Sequence, residues 1–378
     1  MTATFPPVLA STREFVEPEL RKAVARLDED TRRVCEYHFG WVDARGAPDE
    51  HGGKALRPAL VLLSAQAGGG EQGQALRAAA AVELVHNFSL LHDDLMDGDV
   101  SRRHRPTAWT VFGRSSALLA GDALLALAPD TVLLDGTPGA VAAARSLSSA
   151  VRKLIEGQAA DLEFERRADV GLDECLAMAA GKTAALLACA CSMGALHVGA
   201  PREVVAHLHS FGAELGMAFQ LVDDLIGLWG DPEVTGKPVL SDLRSRKKTV
   251  PVVHAVSSGT TEGARLRDLY AQPEELSEAQ LEEAADLVLR AGSRAWARDE
   301  SERRLARAHE HLEQAHCDAA TSDFTELADF SLRRQRGPNS CVRRPPRPGR
   351  STRCGRPGTT CSTCRNRAAG GRASCRPT

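Results

Sequence analysis

Apolar residues recur at helical spacing along most of the chain, and the segments 17–27, 56–67, 75–95, 115–128, 140–160, 172–198, 202–228, 251–257, 278–291 and 293–314 each predict a helix. Clusters of Gly, Pro and Asp at 46–53, 68–70, 129–139, 199–201 and 230–238 punctuate them. No alternating run of β-branched residues is long enough to predict a sheet. The expected fold class is therefore all-α. The periodicity stops after Leu332, where Arg, Pro, Gly, Ser, Thr and Cys take over. Such a segment cannot bury enough apolar surface to offset its ordering entropy. The chain divides into a lead (1–17), a helical body (18–335) and a tail (336–378).

Composition supports this division. Of 378 residues, 43% are hydrophobic and only 4% aromatic, which suits a large helical core. The N-terminus shows no basic segment followed by an apolar run. Stretches such as 117–128 contain an Asp and fall short of the roughly 18 residues of a membrane span. A cytoplasmic protein without stable membrane insertion is expected. Of the formal net charge of −3, residues 333–378 supply +13, leaving −16 on residues 1–332. Cys354, Cys361, Cys364 and Cys375 of the tail have partial zinc-site spacing but no His and no apolar support. A disordered or non-native extension is the expectation, ahead of zinc binding or a basic nucleic-acid or membrane arm. The body's cysteines read as core residues or free thiols.

The chemistry concentrates in two helices. In His92-Asp93-Asp94-Leu95-Met96-Asp97, Asp93 and Asp97 share a helix face about one turn apart, a pair suited to a hard divalent cation. Arg102 and Arg103 follow, and guanidinium groups suit phosphate oxygens. A lone motif of this kind is most often a solvated helix end. Far downstream, Gln220, Asp223 and Asp224 share a face of a second apolar helix. Uncompensated carboxylates on two buried helices are costly, and a shared metal cluster would compensate them. Cations gather elsewhere: Lys54 and Arg57 at a helix start, Lys182 beside Thr183 after Gly181, Lys237, and Lys247. His86 lies seven residues before Asp93 on the same face. Cations placed at junctions of a strongly acidic body point to a polyanionic ligand.

The motifs GGKALRP, LLHDDLMD followed by RRHRPT, GKT and FQLVDDLIG, with SALLAGD at 116–122, closely resemble the trans-polyprenyl diphosphate synthases over residues 18–332. The resemblance implies a barrel of about ten core helices around a deep apolar pocket, and usually a homodimer. It implies that Asp93, Asp97 and Asp223 bind three Mg²⁺ ions on an allylic diphosphate, with Asp224 in support. Arg102, Lys182, Lys237 and Lys247 would hold that diphosphate. Lys54, Arg57, His86 and Arg103 would hold isopentenyl diphosphate. The Gln220 carbonyl and the Thr183 hydroxyl would face the allylic cation. One departure stands out: the family's second motif often ends in Asp, and here that position is Gly227, with Asp231 just beyond.

Product length is expected to depend on Phe88 and Ser89, four to five residues before Asp93. By helical angle Ser89 faces the pocket more directly than Phe88. This pattern resembles geranylgeranyl diphosphate synthases. A farnesyl or longer-chain synthase, a class I terpene cyclase and an inactive regulatory subunit are the alternatives. The cyclase is disfavoured by the second set of cations.

Overall fold

The computed structural model describes residues 6–49, 52–230 and 240–333. They form α1 (Pro7–Val24), α2 (Glu29–Phe39), α3 (Leu56–Ala67) and α4 (Leu76–Asp97). A minimal hairpin, β1 (Ser101–Arg102) with β2 (Arg105–Pro106), leads to α5 (Ala108–Phe112), α6 (Arg114–Leu133) and α7 (Pro138–Phe164). Next come α8 (Leu172–Ala179), a π-helical turn (Ala180–Ala184), α9 (Ala185–His197) and α10 (Arg202–Trp229). The last elements are α11 (Ser241–Arg244), α12 (Val250–Ser257), α13 (Thr261–Tyr270), α14 (Glu278–Arg290), α15 (Ser293–Gln314) and α16 (Asp318–Arg333). The architecture is all-α, as the periodicity predicts.

Helix α4 is buried on nearly every side. Ala78, Ala79, Ala80 and Ala81 are inaccessible, and such small side chains let neighbouring helices approach closely. It packs on α6 and α3, while α9 packs on α3, α7 and α10. The main core joins buried residues of these helices with Phe324 and Leu327 of α16. The helix ends of α4, α7 and α10 and the turn before α9 carry most of the residues with chemistry.

Several elements depart from the sequence expectation. The first helix starts at Pro7, not at residue 17, and buries Leu9, Thr12 and Val16, so most of the lead is structured. Helix α2 is too polar to show strong periodicity, yet it buries Val34, Cys35, Tyr37 and Phe39, and its N-cap Asp28 accepts from the Thr31 amide. Helices α13 and α16 were not expected as separate elements. Two segments, Arg114–Leu133 and Leu172–His197, are in fact long and apolar enough to cross a membrane by length and composition. Within the fold, 44% and 56% of these apolar stretches are buried. The body cysteines Cys35, Cys175, Cys189, Cys191 and Cys317 are free and buried, and burial pushes the Cys35 thiol up to about 12. The tail and its proposed zinc ligands lie outside the described residues.

Candidate active site

Helix α4 ends at Gly98, in the left-handed conformation. Near that end, Asp97 is exposed and Asp93 is half-buried. Burial raises the Asp93 carboxyl above its ordinary range, opposed first by the charge of Lys182. Asp94, between them, is 2% exposed and accepts from Arg102, with Nε and Nη2 both 2.7 Å from Oδ1. The hairpin turn holds Arg103 and His104 at φ of 52° and 61°. Left-handed backbone at both central residues matches the twist of a two-residue hairpin, and it is costly for side chains other than Gly or Asn. The turn separates the two arginines: Arg102 goes to Asp94, and the charge of Arg103 falls on Glu83 and His86.

A second cluster is built around α3 and the middle of α4. Helix α3 follows Ala55, itself left-handed, and no side chain caps its first turn. Lys54 is exposed just before it. The Arg57 Nε is buried without a protein partner. Glu83, 8% exposed, lies within the fields of Arg57 and Arg103 and accepts from Asn87 Nδ2 at 3.2 Å. Burial, then Arg57 and Arg103, drives His86 well below its usual pKa, so its ring is neutral at pH 7. His38 of α2 joins the group, lowered to about 3 by burial and then Arg103. Sequence reasoning missed Glu83 and His38. An acid one turn before His86 in an Ala-rich helix was the available signal for the first; none marked the second.

The third group sits where α7 meets the π turn. Lys182 Nζ donates to Asp161 Oδ2 at 2.5 Å, and Lys247 Nζ lies 3.7 Å from the same oxygen. Asp161 is 8% exposed, and its carboxyl stays below the usual range because Lys247 and Lys182 outweigh its burial. Lys247, although desolvated, is raised by Asp161 and then Asp97, so it spans from α7 to α4. Gly157 makes this possible: a β-carbon there would lie 2.2 Å from the Lys182 amide nitrogen. Sequence reasoning missed Asp161.

Across the cleft, Thr183 Oγ1 donates to Gln220 Oε1 at 2.6 Å, and Gln220 Nε2 donates to Asp224 Oδ1 at 2.6 Å. The Val250 amide donates to Asp224 Oδ2 at 2.8 Å. Asp224 is 6% exposed, and burial lifts its carboxyl to about 7. Both its oxygens accept a hydrogen bond, one from the side chain of Gln220, which Asp224 thereby orients. Asp223, on the same turn, is exposed. Lys237 and Asp231 lie outside the described residues.

The donor set of Asp93, Asp97 and Asp223 is all carboxylate oxygen, which fits a hard cation such as Mg²⁺. The raised Asp93 carboxyl is a buried anion that a cation would compensate. Among the described residues, no three such side chains gather into a closed cage. At the proposed floor, Phe88 is 5% exposed, and its ring makes a T-shaped pair with that of His92, centroids 4.8 Å apart. Ser89 is 8% exposed and donates to its own helix at the His86 carbonyl, 2.8 Å away.

A family model described as polyprenyl synthetase matches residues 48–288. A (2E,6E)-farnesyl diphosphate synthase of Mycobacterium tuberculosis is 48% identical over 340 residues, covering 89% of this chain and 95% of that protein. A geranylgeranyl diphosphate synthase of the same organism is 43% identical over 332 residues, covering 87% and 93%. A crystal structure of a polyprenyl synthetase from Streptomyces coelicolor superposes with a TM-score of 0.81 at 47% identity, covering 86% of this chain and 98% of the other.

Proposed function

The chain belongs to the polyprenyl synthetase family and is a prenyltransferase, and from that premise we propose that it condenses isopentenyl diphosphate with an allylic diphosphate in a magnesium-dependent reaction yielding geranylgeranyl diphosphate. The observation that carries this reading is the presence of two cationic groups along α4, one facing Asp93 and the other facing Glu83 and His86. One is Arg102, Lys182 and Lys247 beside the carboxylates of α4 and α10. The other is Lys54, Arg57 and Arg103, with the neutral ring of His86 beside the arginines. Two diphosphates need two such centres, whereas a cyclase needs one.

In this reading Lys182 and Lys247 turn from Asp161 to the allylic diphosphate, and Arg102, held by Asp94, donates to the same group. Magnesium held by Asp93, Asp97 and Asp223 would neutralise charge accumulating on the departing diphosphate. The C1–O bond breaks with its electron pair on oxygen. Gln220 Oε1 and Thr183 Oγ1 present their dipoles to the resulting allylic cation. The double bond of isopentenyl diphosphate attacks that carbon, and the released diphosphate removes the C2 proton, since no side-chain base stands out among the described residues. Apolar walls exclude water that would quench the cation.

Phe88, buried below Asp93, supports the geranylgeranyl product. A farnesyl product is the second reading, favoured by the 48% identity to a farnesyl synthase. We take the working form to be a cytoplasmic homodimer. Leu118, Leu119 and Leu133 of α6 and Leu134 just after it, with Val141 and Ile155 of α7, are 43–60% exposed and supply an apolar face for a second copy. Incubation of the purified protein with Mg²⁺, isopentenyl diphosphate and farnesyl diphosphate, followed by chromatography of the dephosphorylated products, tests the proposal. Geranylgeraniol supports it. Consumption of farnesyl diphosphate without isopentenyl diphosphate would refute it, and a product that stops at farnesol from shorter starters would select the second reading.

A further inference from the structure

Two adjacent glycines, Gly52 and Gly53, precede Lys54, and each leaves room for an arginine from another element. A β-carbon built on Gly52 would lie 2.5 Å from Nη2 and 2.9 Å from Cζ of Arg13, on α1. One built on Gly53 would lie 3.4 Å from both Nη atoms of Arg103 and 3.6 Å from Glu83 Oε1. Two guanidinium groups thus rest on consecutive residues of the loop that carries Lys54. A cavity of about 30 Å³, room for one water molecule, is bordered by Arg13, Glu17, both glycines and Glu83. Arg13 therefore shares a space with the acid that lies in the fields of Arg57 and Arg103. Its own tether is loose. Arg13 Nε lies 3.4 Å from Glu17 Oε2, whereas Arg21 gives Nε and Nη2 to Glu17 Oε1 at 2.9 and 2.7 Å. The Arg13 side chain is 38% exposed, so it can turn without disturbing the core. A further cation beside Lys54, Arg57 and Arg103 adds repulsion in the ligand-free protein, and a bound polyanion would convert that repulsion to attraction.

We propose that Arg13 is a further binding residue for isopentenyl diphosphate: α1 delivers its guanidinium across Gly52 to the group formed by Lys54, Arg57 and Arg103. Position 52 is glycine because any side chain there would displace that guanidinium. On binding, Arg13 turns from Glu17 to a phosphate oxygen, and Arg21 keeps Glu17 compensated. The first helix, most of which precedes the segment that the sequence pattern marks as the body, thereby becomes part of the substrate site. That role rests on the reading of this cationic group as the isopentenyl diphosphate site.

The test combines calorimetric titration of the full-length protein with isopentenyl diphosphate, steady-state kinetics in both substrates, and thermal melting to verify folding. Arg13→Gln should raise the Kd for isopentenyl diphosphate by about tenfold, as expected for one lost charge-assisted hydrogen bond, and leave the KM for the allylic diphosphate within about twofold. Arg13→Lys should fall between parent and Arg13→Gln, since the charge remains but the planar fork is lost. Gly52→Ala should weaken the same substrate by a similar factor although it removes no charge. The double variant Gly52→Ala/Arg13→Gln should bind no more than about twofold worse than either single one, because both act through one contact. Unchanged isopentenyl diphosphate binding in folded Arg13→Gln overturns the proposal. So does a parallel weakening of both substrates with a lowered Tm, which would mark Arg13 as structural, and so do fully additive losses in the double variant. If Arg57→Gln, measured alongside, also binds isopentenyl diphosphate as the parent does, the reading of the cationic group itself fails.

Discussion

Asp94 gives a single oxygen, Oδ1, to both Nε and Nη2 of Arg102, each at 2.7 Å, while remaining 2% exposed. The middle residue of the first aspartate motif thus aims an arginine. Removing it leaves a half-buried guanidinium without its buried partner. Asp94→Ala is expected to lower kcat by about tenfold to a hundredfold, with Asp94→Asn less severe because the amide oxygen still accepts. Steady-state kinetics of both variants, with circular dichroism to verify folding, checks this order.

Asp93 carries the opposite trade. Burial penalises its charge in the metal-free protein, so replacing it should relieve that cost. Asp93→Ala is expected to lose turnover by at least about a hundredfold while melting no lower than the parent in EDTA. A variant with near-normal turnover would sink the metal assignment.

Glu83 stands within the fields of Arg57 and Arg103, and all three groups feel burial. Glu83→Gln should cost about 2–3 kcal/mol in the ligand-free protein. Diphosphate would replace the missing negative charge, so saturating isopentenyl diphosphate should reduce that deficit. Equal deficits with and without ligand would show that Glu83 does not share a site with the substrate.

The pH dependence of metal-free stability has two components of opposite sign. Asp224 is raised to about 7. Folding therefore favours its protonated form, and its contribution is full below about 3.8 and falls as pH rises through 7. Asp161 is lowered, so its contribution is present above the unfolded value and disappears only as pH falls through the lower folded one. In EDTA, the Tm of Asp224→Asn should decline less than the parent between pH 4 and 7, the two curves diverging in their slopes only in that window.

Phe88→Ala opens the space below Asp93 where Phe88 packs on His92. A longer product is expected, read by chromatography after dephosphorylation. An unchanged product would leave Phe88 as a core residue alone.

Much of this site was legible because its residues are chemically conspicuous: acids in apolar helices, and cations after glycine breaks. Asp161, Glu83 and Asp94 were harder to recognise. Each compensates a cation contributed by another element, and helical spacing within one segment carries no trace of such a partner. Helix α2 escaped for a different reason: its four buried residues, Val34, Cys35, Tyr37 and Phe39, do not fall on one narrow helical stripe and sit in a charged helix. The product-length residues were placed by angle alone, and the structure shows both nearly buried, with Ser89 turned to its own backbone.

The bare contact at Gly157 has one more consequence. The backbone of α7 rests against the turn that carries Lys182, so the spacing between Asp161 and Lys182 is a property of the scaffold and not of rotamer choice. That contact works as a gauge block. Thickening it by one methyl group would displace Lys182 and Thr183 together without touching either side chain.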